Sequence, residues 1–300
     1  MYDVIVIGGG PAGLQAALTL GRMHRSALVL DSGAYRNGPV RHMHNVIAND
    51  GTPPSEFRAI SRAQLGAYPT IELRDAAATA VLRESDGFRV LLSEGDPVAA
   101  QRIVLATGLA DELPDVPGLD ALWGLRAFSC PFCDGHEFAG RTLGILGTGA
   151  RAEHLLGLLG PIAGRIVVFP IGAPATDEER EALVALGAEV HPDPVDAVAE
   201  AGDGVAVTAA GVAIPVDGLF LAAGAFRQRA PFAAQLDLTV LPSGAIEIDE
   251  FGRTSLPGVS AAGDLAHRAT MPGVMASVLA AAAAGQLAAA MIVQDLAAAH

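Results

Sequence analysis

The chain has 300 residues, which is enough for two domains with separate hydrophobic cores. It is 51% hydrophobic and rich in glycine but only 5% aromatic, a profile typical of an α/β protein with helices packed closely on strands. All 19 basic residues are arginine, and the formal net charge of −14 argues against nucleic acid or an anionic membrane as a partner.

The N-terminal segment has the pattern of a dinucleotide-binding βαβ unit. A buried strand is predicted at Val4–Ile7, followed by a Gly-x-Gly-x-x-Gly turn at 8–13 and an apolar helix that runs to about Met23. A second strand at Ala27–Leu30 ends at Asp31, which can accept a hydrogen bond from a ribose hydroxyl. The chain leads into the first strand without a basic segment, so we expect no signal peptide.

The residues after Asp31 divide into a polar loop and further elements. The loop to Pro54 either wraps a cofactor or is simply solvated, and the sequence leaves both possibilities open. A helix is predicted at Ser55–Tyr68 and an antiparallel layer of strands at Ile71–Leu73, Ala80–Leu82 and Phe88–Leu92. A strand at Arg102–Leu105 and a linker at Asp111–Pro117 follow.

A second dinucleotide-type unit is predicted further along the chain. A strand at Thr142–Leu146 runs into the turn Gly147–Ala152, a helix and a strand at Arg165–Phe169. An NADPH site would have arginines after that strand and an NADH site an acid, but Pro170 stands there, followed by acidic residues at 177–179. We therefore expect a retained fold unit that has lost its ligand chemistry.

The C-terminal part is predicted to contain strands at Leu219–Ala222 and Val259–Asp264 and an alanine-rich helix from Pro272 to about Ala299. The helix is long enough to cross a bilayer, but Gln286, Gln294 and Asp295 interrupt it. A buried helix whose N-terminus points its dipole at a cofactor fits these residues better.

The two cysteines lie in the motif Cys130-Pro131-Phe132-Cys133-Asp134. A Cys-x-x-Cys pair at a helix start has a lowered thiol pKa and can cycle between dithiol and disulfide, and proline is tolerated in a first helical turn. The alternatives are a zinc site that also uses His136 and another histidine, and two ordinary buried cysteines. Two cysteines do not make a disulfide framework, so a reducing compartment, the cytoplasm, is expected.

Together these motifs resemble the low-molecular-weight thioredoxin reductase family of flavoproteins. The resemblance is carried, across the whole chain, by Gly8–Gly13, Ala106-Thr107-Gly108, Cys130–Gly135, Gly147–Ala152 and Leu256-Pro257-Gly258-Val259 leading to Ala262-Gly263-Asp264. It implies an α/β fold of two Rossmann-like dinucleotide-binding domains, each with a three-layer ββα arrangement. The implied FAD-binding domain is discontinuous, at 1–112 and 235–300, and 113–234 forms the NAD(P)-type domain with the cysteines.

The family resemblance also implies the cofactor contacts and a homodimer. In the family, the residues that match Gly263 and Asp264 hold the ribityl chain of FAD, and the final helix points at the isoalloxazine. The predicted FAD-binding residues are Gly8, Gly10, Pro11, Ala12, Gly13, Asp31, Ser32, Asn37, His44, Asn45, Thr107, Gly108, Gly263, Asp264, Pro272 and Gly273.

Within the family the chain resembles a branch of small-molecule dithiol oxidases, which close disulfides of the holomycin, gliotoxin and romidepsin type and pass electrons through FAD to oxygen. Reductases carry His-Arg-Arg-x-x-x-Arg where this chain has Phe169–Pro174, and the segments Asp50–Pro54, Trp123-Gly124 and Cys130–Glu137 are similar to the oxidase branch. The expected substrates are therefore a small dithiol and O2.

The resemblance assigns catalytic roles around the cysteine pair. A substrate thiolate would attack Cys130, and Cys133 would be the sulfur that passes electrons to the flavin. Asp134 would move protons or be an ordinary carboxylate at a helix start, and His136 would deprotonate a thiol or be a surface histidine. The competing hypotheses for the whole chain are a reductase fed by NAD(P)H or another donor, and a flavin-binding protein without turnover.

Overall fold

A computed structural model describes residues 1–298 of the chain, which folds into two compact units. Unit 1 comprises Met1–Gly38, Ser55–Ala110 and the chain from Phe226 onward, and unit 2 comprises Pro39–Pro54 and Asp111–Ala225. The predicted division places 1–112 and 235–300 in one domain; here Pro39–Pro54 belongs to unit 2, and unit 1 resumes at Phe226, because Phe232 packs in the core of unit 1.

The strands follow one another along the chain as β1 (Tyr2–Ile7), β2 (Ala27–Asp31), β3 (Ile71–Asp75), β4 (Ala78–Glu84), β5 (Gly87–Leu92), β6 (Val98–Leu105), β7 (Leu109–Glu112), β8 (Ala127–Phe128), β9 (Thr142–Leu146), β10 (Arg165–Phe169), β11 (Glu189–Val190), β12 (Val195–Ala201), β13 (Gly204–Ala209), β14 (Val212–Val216), β15 (Gly218–Leu221), β16 (Ala225–Gln228), β17 (Ile246–Glu247), β18 (Val259–Ala261) and β19 (Ala266–His267). The helices are α1 (Pro11–Arg22), α2 (Pro54–Leu65), α3 (Leu119–Leu122), α4 (Pro131–Asp134), α5 (Ala150–Leu159), α6 (Asp177–Ala185), α7 (Phe232–Gln235) and α8 (Val278–Ala298), with a 3-10 turn at His136–Phe138.

The main sheet of unit 1 has the strand order β3-β2-β1-β6-β5-β4, and β18 also pairs with β6. The pairs among β3, β2, β1, β6 and β18 are parallel, whereas β4, β5 and β6 pair antiparallel. The prediction for Ile71–Leu73 is therefore wrong in its partner. These residues continue the parallel sheet beside β2, because Ala27 pairs with Ile71, instead of joining the antiparallel layer.

Two apolar clusters stabilise unit 1. One contains Leu14 and Leu20 of α1 together with Ile292 and Leu296 of α8, and the other contains Ile5, Leu28 and Phe88. Within residues 1–298, α8 is the one helix long and apolar enough to span a membrane. A Cβ at Gly285 would overlap the Ala12 carbonyl, so α8 packs against α1 as a core helix of this unit.

Unit 2 repeats the parallel plan with the strand order β11-β10-β9-β15-β8, next to an antiparallel sheet of β12, β13 and β14. The buried Leu143, Ile145 and Val168 belong to the cluster that also contains Leu155 and Leu159 of α5. A separate cluster lies between strands of the two sheets and includes Leu219 and Val207. The predicted βαβ units at β1-α1-β2 and β9-α5-β10 are both present.

Candidate active site

Cys130 and Cys133 form a disulfide at the start of the short helix α4, with Cα atoms 5.3 Å apart. Cys130 is the N-cap in an extended conformation, Pro131 is the first helical residue, and the Cys130 carbonyl accepts hydrogen bonds from the backbone N–H groups of Cys133 and Asp134 at 3.2 Å. The Cys-x-x-Cys spacing thus allows the two sulfurs to bond to each other. Their catalytic roles stay predictions.

The polypeptide behind the disulfide is fixed by close packing within unit 2. Gly135 follows α4, and a Cβ there would stand 2.6 Å from the Pro131 carbonyl and 3.3 Å from a Leu159 methyl group of α5. Three residues later, Phe138 is buried with its ring centroid 5.9 Å from that of Phe128 and 6.2 Å from that of Phe220. The motif is thereby anchored to the unit 2 core on its C-terminal side.

Asp134 has the proton affinity of a group that can exchange protons near neutral pH. Burial is the main reason that its pKa is raised to about 7, and the negative charge of Glu137 adds to the increase while His44 opposes it. The prediction that Asp134 moves protons at the cysteines is consistent with this environment. The alternative of an exposed helix-start carboxylate is not, because the side chain is partly buried.

His44 lies in unit 2 beside the redox motif. Its Nε2 atom is 3.6 Å from Glu137 Oε1, and its Nδ1 atom is 3.6 Å from Asp50 Oδ1. The sequence motifs place His44 among the predicted flavin contacts and leave His136 as either an acid–base group or a surface histidine, and the His136 side chain is exposed. No local signal links His44 to the cysteines, because its acidic partner Glu137 is distant in sequence.

The first glycine turn has the shape that a dinucleotide requires. Gly8 has a φ of +124°, and a Cβ there would overlap the Ala106 carbonyl at the end of β6. Beside Gly10 the space is open, with no non-neighbouring atom within 4 Å of the Cβ position, so a pyrophosphate can approach the backbone. Pro11, Ala12 and Gly13 then open α1.

Asp31 is 3% exposed at the end of β2, beside Gly9 of this turn. Its Oδ2 accepts hydrogen bonds from Tyr35 Oη at 2.6 Å and Arg62 Nη1 at 2.9 Å, and Oδ1 accepts one from the Gly33 N–H. Burial, together with the hydrogen bond to Asp31, raises the pKa of Tyr35 to about 12, which keeps the phenol protonated as a donor.

Other predicted cofactor residues of unit 1 stand at the carboxyl ends of neighbouring strands. Thr107 and Gly108 follow β6, and Gly263 follows β18, with its Cβ position 3.1 Å from the Ala12 methyl group. Asp264 pairs with Arg36 Nη1 at 3.1 Å, a contact that no local sequence pattern predicts because the two residues are 228 positions apart. The ends of adjacent parallel strands are where α/β sheets bind ligands, so the donor set fits a dinucleotide.

The remaining predicted cofactor residues lie in separate parts of the chain. Ser32 and Asn37 lie in the loop after β2, where Asn37 Oδ1 accepts from Arg58 at 3.1 Å, and Asn45 lies in unit 2 with a φ of +57°. Pro272 and Gly273 precede α8, which begins at Val278 rather than at the predicted Pro272. The helix starts after Ser277, because the hydrogen bond from the Ala281 N–H to the Ser277 carbonyl, at 2.8 Å, closes its first turn.

The second turn has the same glycine spacing but a different backbone before the helix, since φ is +73° at Gly149 and −81° at Gly10, and it carries different charges. Gly147 and Gly149 have φ values of +105° and +73°, and α5 starts at Ala150. Thr148 Oγ1, between the two glycines, donates a hydrogen bond of 3.0 Å to Glu179 Oε1 from α6. The end of β10 carries Phe169 and Pro170, without an arginine or an acid.

Comparison with known proteins identifies the family. The pyridine nucleotide-disulphide oxidoreductase family matches residues 2–153 and 162–285. The chain belongs to this family. Across 99% of this chain and 96% of the relative it is 31% identical to thioredoxin reductase tcpT of Claviceps purpurea, and across 89% and 87% it is 33% identical to thioredoxin reductase sirT of Leptosphaeria maculans. The crystal structure of HlmI superposes with a TM-score of 0.88, at 34% identity, over 99% of this chain and 93% of that one.

As a pyridine nucleotide-disulphide oxidoreductase with a thioredoxin reductase-like fold, the protein is an oxidoreductase and FAD is its cofactor. The open turn at Gly10 and the residues around Asp31 in unit 1 fit this cofactor. Among residues 1–298, no group of three or more His, Cys, Asp or Glu side chains is arranged to hold a metal ion.

Proposed function

We propose that this flavoprotein is a dithiol oxidase, which forms an intramolecular disulfide in a small natural-product dithiol and reduces O2 to hydrogen peroxide. The thiol–disulfide chemistry follows from the family and from the Cys130–Cys133 disulfide. The finer part of the proposal is the direction of electron flow, from a small dithiol to oxygen.

The observation that favours an oxidase over a reductase is the acidic lining of the second turn. A reductase of this family draws electrons from a nicotinamide nucleotide, and the 2′-phosphate of NADPH needs arginines after the second strand. Here Pro170 follows β10, and Glu179 contacts the turn itself. The similarity of the chain to the dithiol oxidase branch supports the same direction.

The proposed reaction starts with proton removal from the substrate. Asp134, with a pKa of about 7, is about half ionised at neutral pH and can accept a proton from a substrate thiol. The thiolate attacks Cys130, the Cys130–Cys133 bond breaks, and a mixed disulfide forms while Cys133 leaves as a thiolate.

The second substrate thiol then completes the exchange. It loses its proton, attacks the substrate sulfur of the mixed disulfide and releases Cys130, so that the substrate leaves as a cyclic disulfide and the enzyme holds two thiols. In sum, one dithiol is oxidised and one enzyme disulfide is reduced by two electrons and two protons. FAD, when bound, supplies the two-electron carrier through which O2 can reoxidise the cysteines and become hydrogen peroxide.

A second candidate function is a disulfide reductase, which the names of the relatives tcpT and sirT favour. The two functions are separated by anaerobic mixing of the holoenzyme with NADPH, NADH or dithiothreitol while the visible flavin absorbance is recorded. Bleaching by the dithiol, with none by either nucleotide, is the result expected for the oxidase. Bleaching by a nucleotide would establish the reductase, and no bleaching by any of the three would leave a binding role.

A further inference from the structure

The carboxylate of Glu179 reaches the second glycine turn from another element. Its Oε1 atom accepts the 3.0 Å hydrogen bond from Thr148 Oγ1, and it lies 3.5 Å from the position that a Cβ on Gly149 would take. In a dinucleotide-binding unit this surface, at the N-terminus of the helix after the turn, is where the pyrophosphate binds. An anionic group of the protein itself therefore stands at that surface.

The position of this carboxylate is fixed by the start of α6. Glu179 Oε2 accepts hydrogen bonds from the backbone N–H of Thr176 at 2.9 Å and from Thr176 Oγ1 at 3.2 Å, and the Glu179 N–H donates back to Thr176 Oγ1. This capping box holds the side chain in one orientation. The hydrogen bonds from Thr176 and Thr148 lower the pKa of Glu179, so it is ionised at neutral pH.

The two arginines closest in sequence to these groups are bonded to partners other than Glu179. Arg151 donates a 2.8 Å hydrogen bond to the Gly224 carbonyl, and Arg180 forms an ion pair with Asp177 at 2.7 Å. A nicotinamide nucleotide would bring two or three phosphate groups to a turn that already carries a negative charge. The residues present in unit 2 therefore do not fit this group.

We propose that Glu179 is a specificity-determining residue that occupies the phosphate position of the second turn and excludes NAD(P)H. The hydrogen bond to Thr148 places the charge at the turn, and the capping box prevents it from moving aside. The inference rests on the proposed function for its purpose, since a dithiol oxidase takes electrons from its substrate and gains from excluding nicotinamide donors. The exclusion itself is a binding property that does not require turnover.

The test is equilibrium binding of NADPH and of NADH to the FAD-loaded protein, followed by fluorescence. Glu179→Gln removes the charge but keeps an amide oxygen that can accept from Thr148, so we expect a gain in affinity of about tenfold or more for both nucleotides. Glu178→Gln makes the same change in net charge at the exposed neighbouring position and should leave both affinities as in the wild type. Thr148→Val leaves the charge in place, still oriented by the capping box, and removes only its hydrogen bond to the turn, so a smaller gain is expected.

The outcomes distinguish this inference from the proposed function. Equal affinity in the wild type and in Glu179→Gln, or an equal gain in Glu178→Gln, would overturn the role of Glu179 and leave the oxidase proposal standing. Tight binding of NADPH to the wild type would overturn both. A gain confined to Glu179→Gln and Thr148→Val, in a protein that fails to oxidise dithiols, would support the exclusion and refute the oxidase. Thermal unfolding of each variant confirms that it is folded before binding is measured.

Discussion

The chain contains the glycine-turn motif twice, and the side chains around the two copies differ in charge and in pairing. At the first turn the buried Asp31 is matched by Arg62 and Tyr35, and the space beside Gly10 is open. At the second turn, Glu179 is bonded to Thr148 between the glycines. Both turns precede a helix packed on a parallel sheet, so the glycine spacing by itself does not determine whether a dinucleotide binds.

The comparison shows where binding specificity resides in a dinucleotide fold. The glycines determine how closely a phosphate can approach the backbone, whereas the side chains brought from neighbouring elements determine which charge the turn accepts. In unit 1 those neighbours fit FAD. In unit 2, under our proposal, a side chain from a neighbouring element excludes phosphate from the turn. The polypeptide before β9 carries the redox disulfide.

The largest effect that we expect is the loss of dithiol oxidation, with FAD still bound, when either cysteine is replaced. Cys130→Ser and Cys133→Ser should each reduce dithiol oxidation to below detection, because a single thiol cannot form the disulfide that the substrate reduces. The visible FAD spectrum should remain, since neither cysteine belongs to the first turn. Oxygen consumption with dithiothreitol measures the loss, and Ser129→Ala is the matched control. Turnover retained in both cysteine variants would refute the mechanism.

The next effect tests the first turn. Asp31→Asn removes the charge that pairs with Arg62 in a buried position, so we expect the free energy of unfolding to fall by about 2–3 kcal/mol and FAD to bind more weakly. Arg62 also pairs with Asp75, which is 79% exposed, and Asp75→Asn should change stability by less than about 0.5 kcal/mol. Urea unfolding followed by circular dichroism compares the two variants. Equal losses would show that burial of Asp31 does not matter.

Asp134 should give unit 2 a pH-dependent exchange step. Asp134→Asn removes the proton acceptor, and we expect the rate of disulfide reduction by dithiothreitol to fall about 100-fold at pH 7.5. The wild-type rate should show an inflection at an apparent pKa near 7, the pKa of this carboxyl, whereas the rate of the variant should follow only the thiolate fraction of dithiothreitol, without that inflection. Stopped-flow mixing between about pH 5.5 and about pH 8.5 measures both effects.

The two neighbours of Asp134 should shift this profile in opposite directions. Glu137→Gln removes a like charge that raises the pKa of Asp134, so the inflection should move to lower pH. His44→Gln removes the group that lowers this pKa, so the inflection should move to higher pH. Shifts of the same sign in both variants would contradict the arrangement of charges at the motif.

The same carboxyl makes a prediction about stability. Its folded-state pKa of about 7 lies above the unfolded value near 3.8, so the folded state binds this proton more tightly. Its contribution to stability is complete below about pH 4 and is lost as the pH rises through 7. The stability advantage of Asp134→Asn over the wild type should therefore grow between those values in denaturant titrations. A constant difference would show that the carboxyl is not buried in the folded state.

The smallest effect concerns the cap that orients Glu179. Thr176→Ala removes the side-chain acceptor for the Glu179 N–H and should lower the free energy of unfolding by about 1 kcal/mol. Thr176→Ser keeps the hydroxyl and should be close to the wild type. Urea unfolding measures both variants, and an equal loss in the serine variant would mean that the hydroxyl does not cap α6.

Local patterns determined the two βαβ units, the position of the redox pair and the family. Apolar periodicity over a few residues defines β1, α1 and β2, and the glycine spacing marks the tight turn between β1 and α1. The Cys-x-x-Cys spacing likewise allows one small ring, which the structure contains. These features are predictable because each depends on residues that are neighbours along the chain.

The tertiary structure decided the features that depend on distant residues. Periodicity marks Ile71–Asp75 as a strand but not its parallel pairing with β2, since either neighbour would bury the same side chains. His44 stands beside Glu137, and Glu179 contacts Thr148 across 31 residues, only after the sheets have formed. The pKa of Asp134 near 7 has the same origin, because burial and nearby charges determine it and the sequence does not specify either one.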